Sequence, residues 1–182
     1  MFYILLKSEW VEYTPPYLGG GPASNLSETL PSLARDNGQK AFRSQSATLG
    51  ASSLGNETGV HAFISKNLHS IDASESLFEC YKQMQSHKVH HLIVKKDNQF
   101  FGIISDRDLN LVKKLPGSKS ISVGEITTTV VLAASEDVTI DKVALVFERE
   151  EISCLPILNE DNEVFGVLTT RDLFRFIYER CV

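Results

Sequence analysis

Apolar positions recur with the period of a helix in two stretches of the chain that lie about 63 residues apart. Both stretches place apolar residues at i, i+3, i+4 and i+7: Leu77, Cys80, Tyr81 and Met84 in the first, and Ile140, Val143, Ala144 and Phe147 in the second. This spacing predicts two amphipathic helices with one apolar face each. We expect Ser74 and Asp137, which stand just before these stretches, to be the N-cap residues.

Short apolar runs typical of strands surround each predicted helix. "NLHSI" and "VVLAA" precede the helices, while "VHHLIV" with "FFGII" and "ISCLPI" with "VFGVL" follow them across polar turns. A second helix begins near Asp106 in the first unit and near Thr170 in the second. Each unit is therefore β-α-β-β-α, and the chain from residue 60 onward is an internal repeat whose offset grows from 63 to 64 residues in a turn.

A unit of this size buries only a thin core by itself, whereas two copies packed together share a larger one. We predict an α/β fold, layered in the α+β sense, in which two repeats pack sheet against sheet with pseudo-twofold symmetry and the helices lie outside. The predicted division is an N-terminal arm over 1–59, a first repeat over 60–118 and a second over 119–182.

The arm differs in composition from the repeats. Most of the chain's 11 glycines lie in 19–59, together with many serines and few large apolar residues, which is typical of loops and linkers. "FYILL", residues 2–6, is expected to add a strand at a sheet edge, and the remainder is expected to be irregular. Two interpretations stay open: the arm drapes over the body or a partner subunit, or it is a mobile tail.

Charge, cysteine content and the length of the apolar runs narrow the classes of protein to which the chain can belong. The chain has 18 basic and 23 acidic residues and a net charge of −5, which argues against a nucleic-acid-binding surface but does not exclude a local basic pocket. Three cysteines without a CxxC motif indicate a reducing cytoplasm rather than a disulfide framework. No apolar run approaches the length of a membrane span.

One octapeptide occurs in both repeats: "GIISDRDL" at Gly102–Leu109 and "GVLTTRDL" at Gly166–Leu173. Its hydroxyl and its aspartate, Ser105 with Asp108 and Thr169 with Asp172, have the spacing of a capping box where a strand ends and a helix begins. The glycine would allow close approach of a neighbouring segment. Considered by spacing alone, this structural interpretation comes first.

The same atoms suit a ligand. A helix N-terminus at the carboxyl end of a strand is a favoured ligand position in α/β folds and attracts phosphate. An aspartate there can accept hydrogen bonds from a vicinal diol, and Arg107 and Arg171 supply guanidinium groups for anions. Diol, anion and a neighbouring apolar slot together describe a nucleotide, so both interpretations stay open at this point.

The duplicated unit resembles a pair of CBS domains, the module named after cystathionine β-synthase. The likeness covers roughly 60–182 and rests on linked motifs in two ordered copies: "FISKN" and "EITTTVV", "VHHLIV" and "ISCLPIL", "FFGIISDRDL" and "VFGVLTTRDL". It implies a regulatory module, not an enzyme, that binds AMP, ADP, ATP or S-adenosylmethionine in clefts between the repeats. The adenine nucleotide would be a regulatory ligand, and no cofactor would be required.

The resemblance also implies roles for individual residues. The matching aspartates, Asp172 and Asp108, would hold the ribose, while Thr169 and Ser105 would lie near the phosphate. Segments of the strands would line the base pocket: Leu68, His91 and Ile93 in the first repeat, and Val131, Cys154 and Pro156 in the second. The second repeat is the better match, because Pro156 stands where the first repeat has Ile93, so the Asp172 site ranks before the Asp108 site.

The consecutive histidines of the first repeat raise the question of a metal site, and Cys154 of the second repeat raises the question of a nucleophile. His90 and His91 are consecutive on a predicted strand and point to opposite faces, so we predict one solvent-facing and one cleft-lining histidine rather than a metal site. Cys154 lacks a recognisable base for a nucleophilic role. The resemblance also implies a homodimer formed through the helices, and the nucleotide-binding module would signal to an unknown regulated protein. The alternative function is a ligand-free dimeric interaction scaffold.

Overall fold

The computed structural model describes residues 1–6, 9–18, 59–112 and 120–181. Short 3-10 turns lie at Pro16–Leu18 and Val60–Ala62. The strands and helices follow in chain order: β1 (Phe2–Leu6), β2 (Glu9–Tyr13), β3 (Ser70–Asp72), α1 (Leu77–His87), β4 (His91–Lys96), β5 (Gln99–Ser105), α2 (Asp106–Val112), α3 (Val123–Ile126), β6 (Leu132–Ser135), α4 (Ile140–Arg149), β7 (Cys154–Leu158), β8 (Val164–Thr169) and α5 (Thr170–Cys181).

The described strands form two sheets that follow the repeat. β3-β4-β5 is the sheet of the first repeat, and β2-β1-β6-β7-β8 contains the matching strands of the second. In both, the first strand pairs parallel with the next, which then pairs antiparallel with the third. The predicted β-α-β-β-α order is therefore confirmed in each repeat. No helix in the described ranges has the length and apolar character needed to cross a bilayer.

The helix starts differ from the predicted caps. The N-cap of α1 is Ser76, whose Oγ accepts a hydrogen bond from the backbone N–H of Glu79 at 3.2 Å. Ser74 instead donates its N–H to Asp72 Oδ1 at 2.9 Å, an Asx turn that keeps it outside the helix. Asp137 is likewise wrong as a cap, because it lies in the turn after β6 and Thr139 occupies the N-cap of α4.

The first part of the arm is more regular than predicted. β1 is a strand as expected, but it is not the edge, since β2 pairs with it antiparallel and becomes the edge strand. β1 also pairs antiparallel with β6 of the second repeat and buries Phe2, Ile4 and Leu5. The predictions for 19–58 fall outside the described residues.

The segment that leads into each repeat packs in the core of the other repeat. Val60 belongs to the cluster formed mainly by the second repeat, and Val123 belongs to the cluster of the first. Ser65 bridges antiparallel to Val167 on β8, and Thr128 bridges in the same way to Ile103 on β5. The two repeats are therefore interlocked by reciprocal crossings.

The glycine of each octapeptide lies beneath one of these crossings. A Cβ added at Gly102 would lie 2.3 Å from the backbone oxygen of Thr128, and one at Gly166 would lie 2.1 Å from Ile64 Cγ2. Such distances are far below van der Waals contact, so neither strand has room for a side chain there. The close approach predicted for the two glycines is made to the segment that crosses over from the other repeat.

Candidate functional site

A cleft of about 520 Å³ lies between the two repeats. The first repeat contributes residues around the start of β3 and the start of β4, and the second contributes the end of β8 and the first turns of α5. The residues that line the cleft are Ser65, Asn67, Leu68, His69, Lys88, Val89, His90, His91, Leu92, Ile93, Ile103, Asp106, Arg107, Ser153, Cys154, Val167, Thr169, Thr170, Arg171, Asp172 and Arg175.

The octapeptide forms a reciprocal capping box in both repeats. The backbone N–H of Thr169 donates to Asp172 Oδ2 at 2.9 Å, and the N–H of Asp172 is 3.4 Å from Thr169 Oγ1. Ser105 and Asp108 repeat this geometry at 2.8 and 3.3 Å. Within the described residues no hydrogen bond occupies Oδ1 of Asp172, so one carboxylate oxygen caps the helix while the other can accept from a ligand.

Eight of the twelve residues predicted for the site line this cleft: Leu68, His91, Ile93, Arg107, Cys154, Thr169, Arg171 and Asp172. The cleft combines the strand segments of the first repeat with the octapeptide of the second. Asp172 therefore shares a cleft with Leu68 and Ile93 as well as with Cys154 of its own repeat. This crossed arrangement follows from the interlocked packing, which the spacing along the chain did not reveal.

The other four predicted residues do not line this cleft. Ser105 and Asp108 form the capping box at the start of α2. Val131 is buried, and its backbone carbonyl accepts a hydrogen bond from the N–H of Leu5 at 2.9 Å, so the hairpin of the arm lies against it. Pro156 is buried in the middle of β7, opposite Val167.

The histidines make specific contacts at the cleft. His90 Nδ1 lies 2.8 Å from Asp106 Oδ2, and His91 Nε2 lies 3.1 Å from Ser153 Oγ, a contact between the two repeats. The prediction placed only one of this pair at the cleft, whereas both line it. Within the described residues, no group of three or more His, Cys, Asp or Glu side chains is placed to hold a metal ion.

Burial lowers the pKa of His91 and of His69 below the ordinary value for histidine, and for His69 the stacked ring of His87 adds to the effect. In the unfolded chain both groups take up protons as the pH falls through about 6.5, whereas the folded protein resists this. Stability is therefore expected to be greatest above that pH and to decline below it.

Urea unfolding at pH 7.5 and 5.5 checks this pH dependence. The midpoint is expected to be lower at pH 5.5, and the difference is expected to shrink in His91→Asn. His61→Asn, outside the cleft and exposed, serves as the control. An equal difference in wild type and His91→Asn would show that another group causes the loss.

Cys154 contributes a buried apolar side chain to the wall of the cleft. Burial, followed by the negative charge of Asp172, raises the pKa of its thiol to about 12. The thiol stays protonated near neutral pH, and a protonated thiol is a poor nucleophile. The structure thus gives this residue a packing role beside the candidate ribose-binding carboxylate.

Sequence reasoning missed two cations of the cleft, Lys88 and Arg175. Lys88 follows α1 in the left-handed conformation, with φ of 55°, and Arg175 lies in the second turn of α5. Neither belongs to the octapeptide. The alignment of the two repeats could have drawn attention to them, because Glu151 stands opposite Lys88 and Leu111 stands opposite Arg175.

The sequence profile of the CBS domain matches residues 60–112 and 123–179. The chain belongs to the CBS domain family. The two matched ranges correspond to the two interlocked repeats, as the resemblance of the motifs predicted.

Two curated relatives match this chain over only part of their own length. Homoserine O-acetyltransferase of Methanohalobium evestigatum is 27% identical over 191 residues, which cover 97% of this chain and 37% of that protein. L-aspartate semialdehyde sulfurtransferase of Methanocaldococcus jannaschii is 31% identical over 119 residues, or 65% of this chain and 23% of that protein. This chain thus spans well under half the length of either relative.

A solved structure shares both the fold and part of the sequence. The CBS domain pair of protein MJ0100, in complex with 5-methylthioadenosine and S-adenosyl-L-methionine, superposes with a TM-score of 0.62 at 26% identity. The match covers 68% of this chain and 98% of that one. The similar domain pair is therefore a module that holds adenosine-containing ligands.

Proposed function

We propose that this protein is a regulatory module that binds an adenosine-containing ligand in the cleft between its repeats and signals to a partner protein, acting in the cytoplasm as its cysteine content indicates. The observation that carries the proposal is the cleft itself: Asp172 offers a carboxylate oxygen beside apolar strand residues such as Leu68 and Ile93. The ligands named for the similar MJ0100 domain pair support the choice of adenosine.

A mechanism of regulation follows from the fact that both repeats line the cleft. Because its walls come from both repeats, a ligand bound there contacts both at once. The His91–Ser153 contact marks where the repeats already meet. A ligand that binds one relative placement of the repeats more tightly shifts the population toward that placement, and a partner can read the shift.

Calorimetric titration with AMP, ADP, ATP, S-adenosylmethionine and NAD tests the proposal. Asp172→Asn is expected to weaken binding of the tightest ligand about tenfold or more, because a carboxylate acceptor is replaced by a weaker neutral one. The amide oxygen can still cap α5, so the fold is kept. Asp108→Asn makes the same change in the other capping box and is expected to leave affinity at this cleft unchanged.

Two results would contradict the proposal. Absence of heat with all five ligands, from protein that melts cooperatively, would exclude adenosine binding at measurable strength. Equal affinity of wild type and Asp172→Asn would place the ligand elsewhere.

A second candidate is the ligand-free homodimeric scaffold. The observation in its favour is a set of exposed apolar side chains on helices: Phe78 on α1 at 76% exposure, Leu111 on α2 at 74%, and Phe174 and Tyr178 on α5 at 69% and 68%. Phe174 and Tyr178 are neighbours at i and i+4 on one face of α5, and an exposed apolar patch is typical of an interaction surface. Sedimentation of wild type is expected to give the mass of a dimer, and Phe174→Lys with Tyr178→Lys to give a monomer; a wild-type monomer would contradict this candidate.

The class of the regulated partner is part of the proposal. A match over 97% of this chain extends through most of residues 1–59, so the likeness to homoserine O-acetyltransferase includes sequence outside the CBS repeats. We propose that the partner is an acyltransferase of this class. Its rate of homoserine acetylation, with and without this chain and nucleotide, measures the regulation; a rate that the chain leaves unchanged contradicts it.

A further inference from the structure

The N-terminal hairpin, formed by β1 and β2, is anchored in the second repeat. β1 pairs with β6, and Phe2 lies in the core cluster of that repeat. Beyond β2, the hydroxyl of Tyr17 donates to Glu150 Oε1 at 2.7 Å, and Leu18 packs against the same cluster. Because it is held both at β1 and beyond β2, the hairpin moves as one body with the second repeat.

The same hairpin also contacts the first repeat. The rings of Trp10 on β2 and Phe100 near the start of β5 have centroids 5.3 Å apart and planes tilted by 39°. Both side chains are half-buried, and aromatic rings at this separation attract each other beyond the burial of their area. Trp10 lies directly opposite Leu5, which is 5% exposed, so the two side chains share the face of the hairpin that is turned toward the first repeat.

The aromatic contact closes a ring of contacts around the second crossing, which is the segment 128–131 that passes over β5. Thr128 exchanges two backbone hydrogen bonds with Ile103 on β5, at 3.0 and 3.1 Å. Three residues later, the carbonyl of Val131 accepts from the N–H of Leu5 at 2.9 Å, and the hairpin returns to β5 through its aromatic pair. Lifting this crossing from β5 therefore also disturbs the hairpin.

The first crossing, the segment 65–68 that passes over β8, has the same backbone contact without the hairpin. Ser65 exchanges two hydrogen bonds with Val167, again at 3.0 and 3.1 Å. Val164 stands where the first repeat has Phe100, so the aromatic partner is missing. Among the described strands β3 is the edge of its sheet, so no counterpart of β1 lies beside this crossing.

A cation–π contact is the additional link at the first crossing. Nζ of Lys66 lies 5.9 Å from the ring centroid of Phe165 on β8. Lys66 is exposed, and an exposed contact of this kind contributes less than a half-buried pair of rings. We expect the first crossing to open more readily than the second.

The two crossings also differ in their relation to the cleft. Ser65 and Leu68 of the first crossing line it, whereas Thr128 and Val131 of the second are not among the described residues that do so. A ligand in the cleft would therefore contact the crossing that the hairpin does not hold.

We propose that the N-terminal hairpin is a brace, with the Trp10–Phe100 contact as its link to the first repeat, that fixes the second crossing on β5 and confines ligand-dependent movement to the first crossing. The part about the ligand rests on the proposed function, while the unequal firmness of the two crossings does not require a ligand. The brace makes a duplicated pair of repeats respond on one side. Its cause is energetic, because a segment opens at a cost set by the contacts that opening breaks.

Hydrogen exchange of single backbone amides, followed by NMR on the full chain without ligand, tests the brace. In wild type the second-crossing amides, Ile103 and Thr128, are expected to be at least about tenfold better protected than the first-crossing amides, Ser65 and Val167. The hydrogen-bond distances at the two crossings are matched, so they do not account for such a difference.

Substitutions in the aromatic pair assign the protection to the brace. Trp10→Leu removes the ring, keeps an apolar side chain, and is expected to lower the protection of the second-crossing amides about tenfold while the first-crossing amides stay unchanged. Phe100→Leu is expected to have the same effect without altering the hairpin. Val11→Ala is the control, because Val11 lies on the opposite face of β2, and it is expected to change neither pair of amides.

Three results of the ligand-free experiment would overturn the brace. The first is equal protection at the two crossings in wild type. The second is unchanged protection of the second crossing in both Trp10→Leu and Phe100→Leu. The third is an equal loss at both crossings, which would show that the aromatic pair stabilises the whole body instead of one crossing.

A ligand-bound sample separates this inference from the proposed function. Adding the tightest binder among AMP, ADP, ATP, S-adenosylmethionine and NAD is expected to change the exchange of the Ser65 amide and to leave that of Thr128 unchanged. A change of equal size at both amides would refute the confinement of movement to the first crossing. If none of the five ligands binds to folded wild type, the proposed function is refuted, and the ligand-free comparison still decides the brace.

Discussion

Replacing Gly102 by alanine is expected to destabilise the protein by about 3 kcal/mol, the upper part of the range for overpacking. The new Cβ would lie 2.3 Å from the backbone oxygen of Thr128 and 2.6 Å from Thr127 Cγ2, so the crossing segment must move. Replacing glycine also restricts the unfolded chain, which returns about 0.4–1 kcal/mol. The clash is the larger effect, and the net change is a loss of stability measured by urea unfolding.

Gly59→Ala is the matched control for this prediction. Gly59 precedes the first repeat with φ of −59°, and a Cβ there would meet its nearest neighbour, the backbone oxygen of Glu136, at 4.0 Å. Its stability is expected to stay within about 0.5 kcal/mol of wild type or to rise slightly. Equal stability of Gly102→Ala and Gly59→Ala would show that the crossing over β5 is not tightly packed.

Replacing Phe2 by alanine is expected to destabilise the protein by about 3–5 kcal/mol, the usual range for a buried phenylalanine. Phe2 is 5% exposed and packs in the core of the second repeat, with Ala134, Val138 and Ile140 among its cluster. Its loss leaves a cavity where β1 meets β6. The hairpin is thus expected to be an integral part of the second repeat's sheet.

Val11→Ala is the matched control, because Val11 belongs to the same hairpin but lies outside the core. Val11 lies on β2 and is 45% exposed, so this truncation is expected to cost less than about 0.5 kcal/mol. Thermal unfolding of the two variants measures the difference. Similar melting temperatures would mean that β1 contributes little to the core and that the arm is a removable appendage.

Residues close together in the sequence determine the helices and strands of each repeat, which explains why so much of the fold was predictable. Apolar residues at helical spacing placed α1 and α4 correctly, because the burial of one helix face requires that period. The caps were misplaced by two residues at Ser74 and Asp137. Both lie in turns whose polar side chains bond to nearby residues, and such turns compete with helix starts for the same residue types.

The octapeptide shows the limit of local reasoning at the site. Its capping box was predicted from four residues and is present in both repeats. The assignment of Asp172 and Leu68 to one cleft could not be predicted, because it depends on segments exchanged between the repeats. Lys88 escaped notice for a related reason: as a lysine after a helix it is ordinary until the fold brings it to the cleft that Arg107 and Arg175 also line.

The sequence by itself determined the duplication, the order of strands and helices, the capping boxes and membership in the CBS family, since each is written in contiguous residues or in their spacing. Only the tertiary structure decided that the arm's first strands complete the sheet of the second repeat, that each lead-in segment crosses to the other repeat, and that four cations gather at one cleft. Those outcomes arise from contacts between residues far apart in the chain. Such contacts are selected by shape and burial of the whole body, which no local pattern encodes.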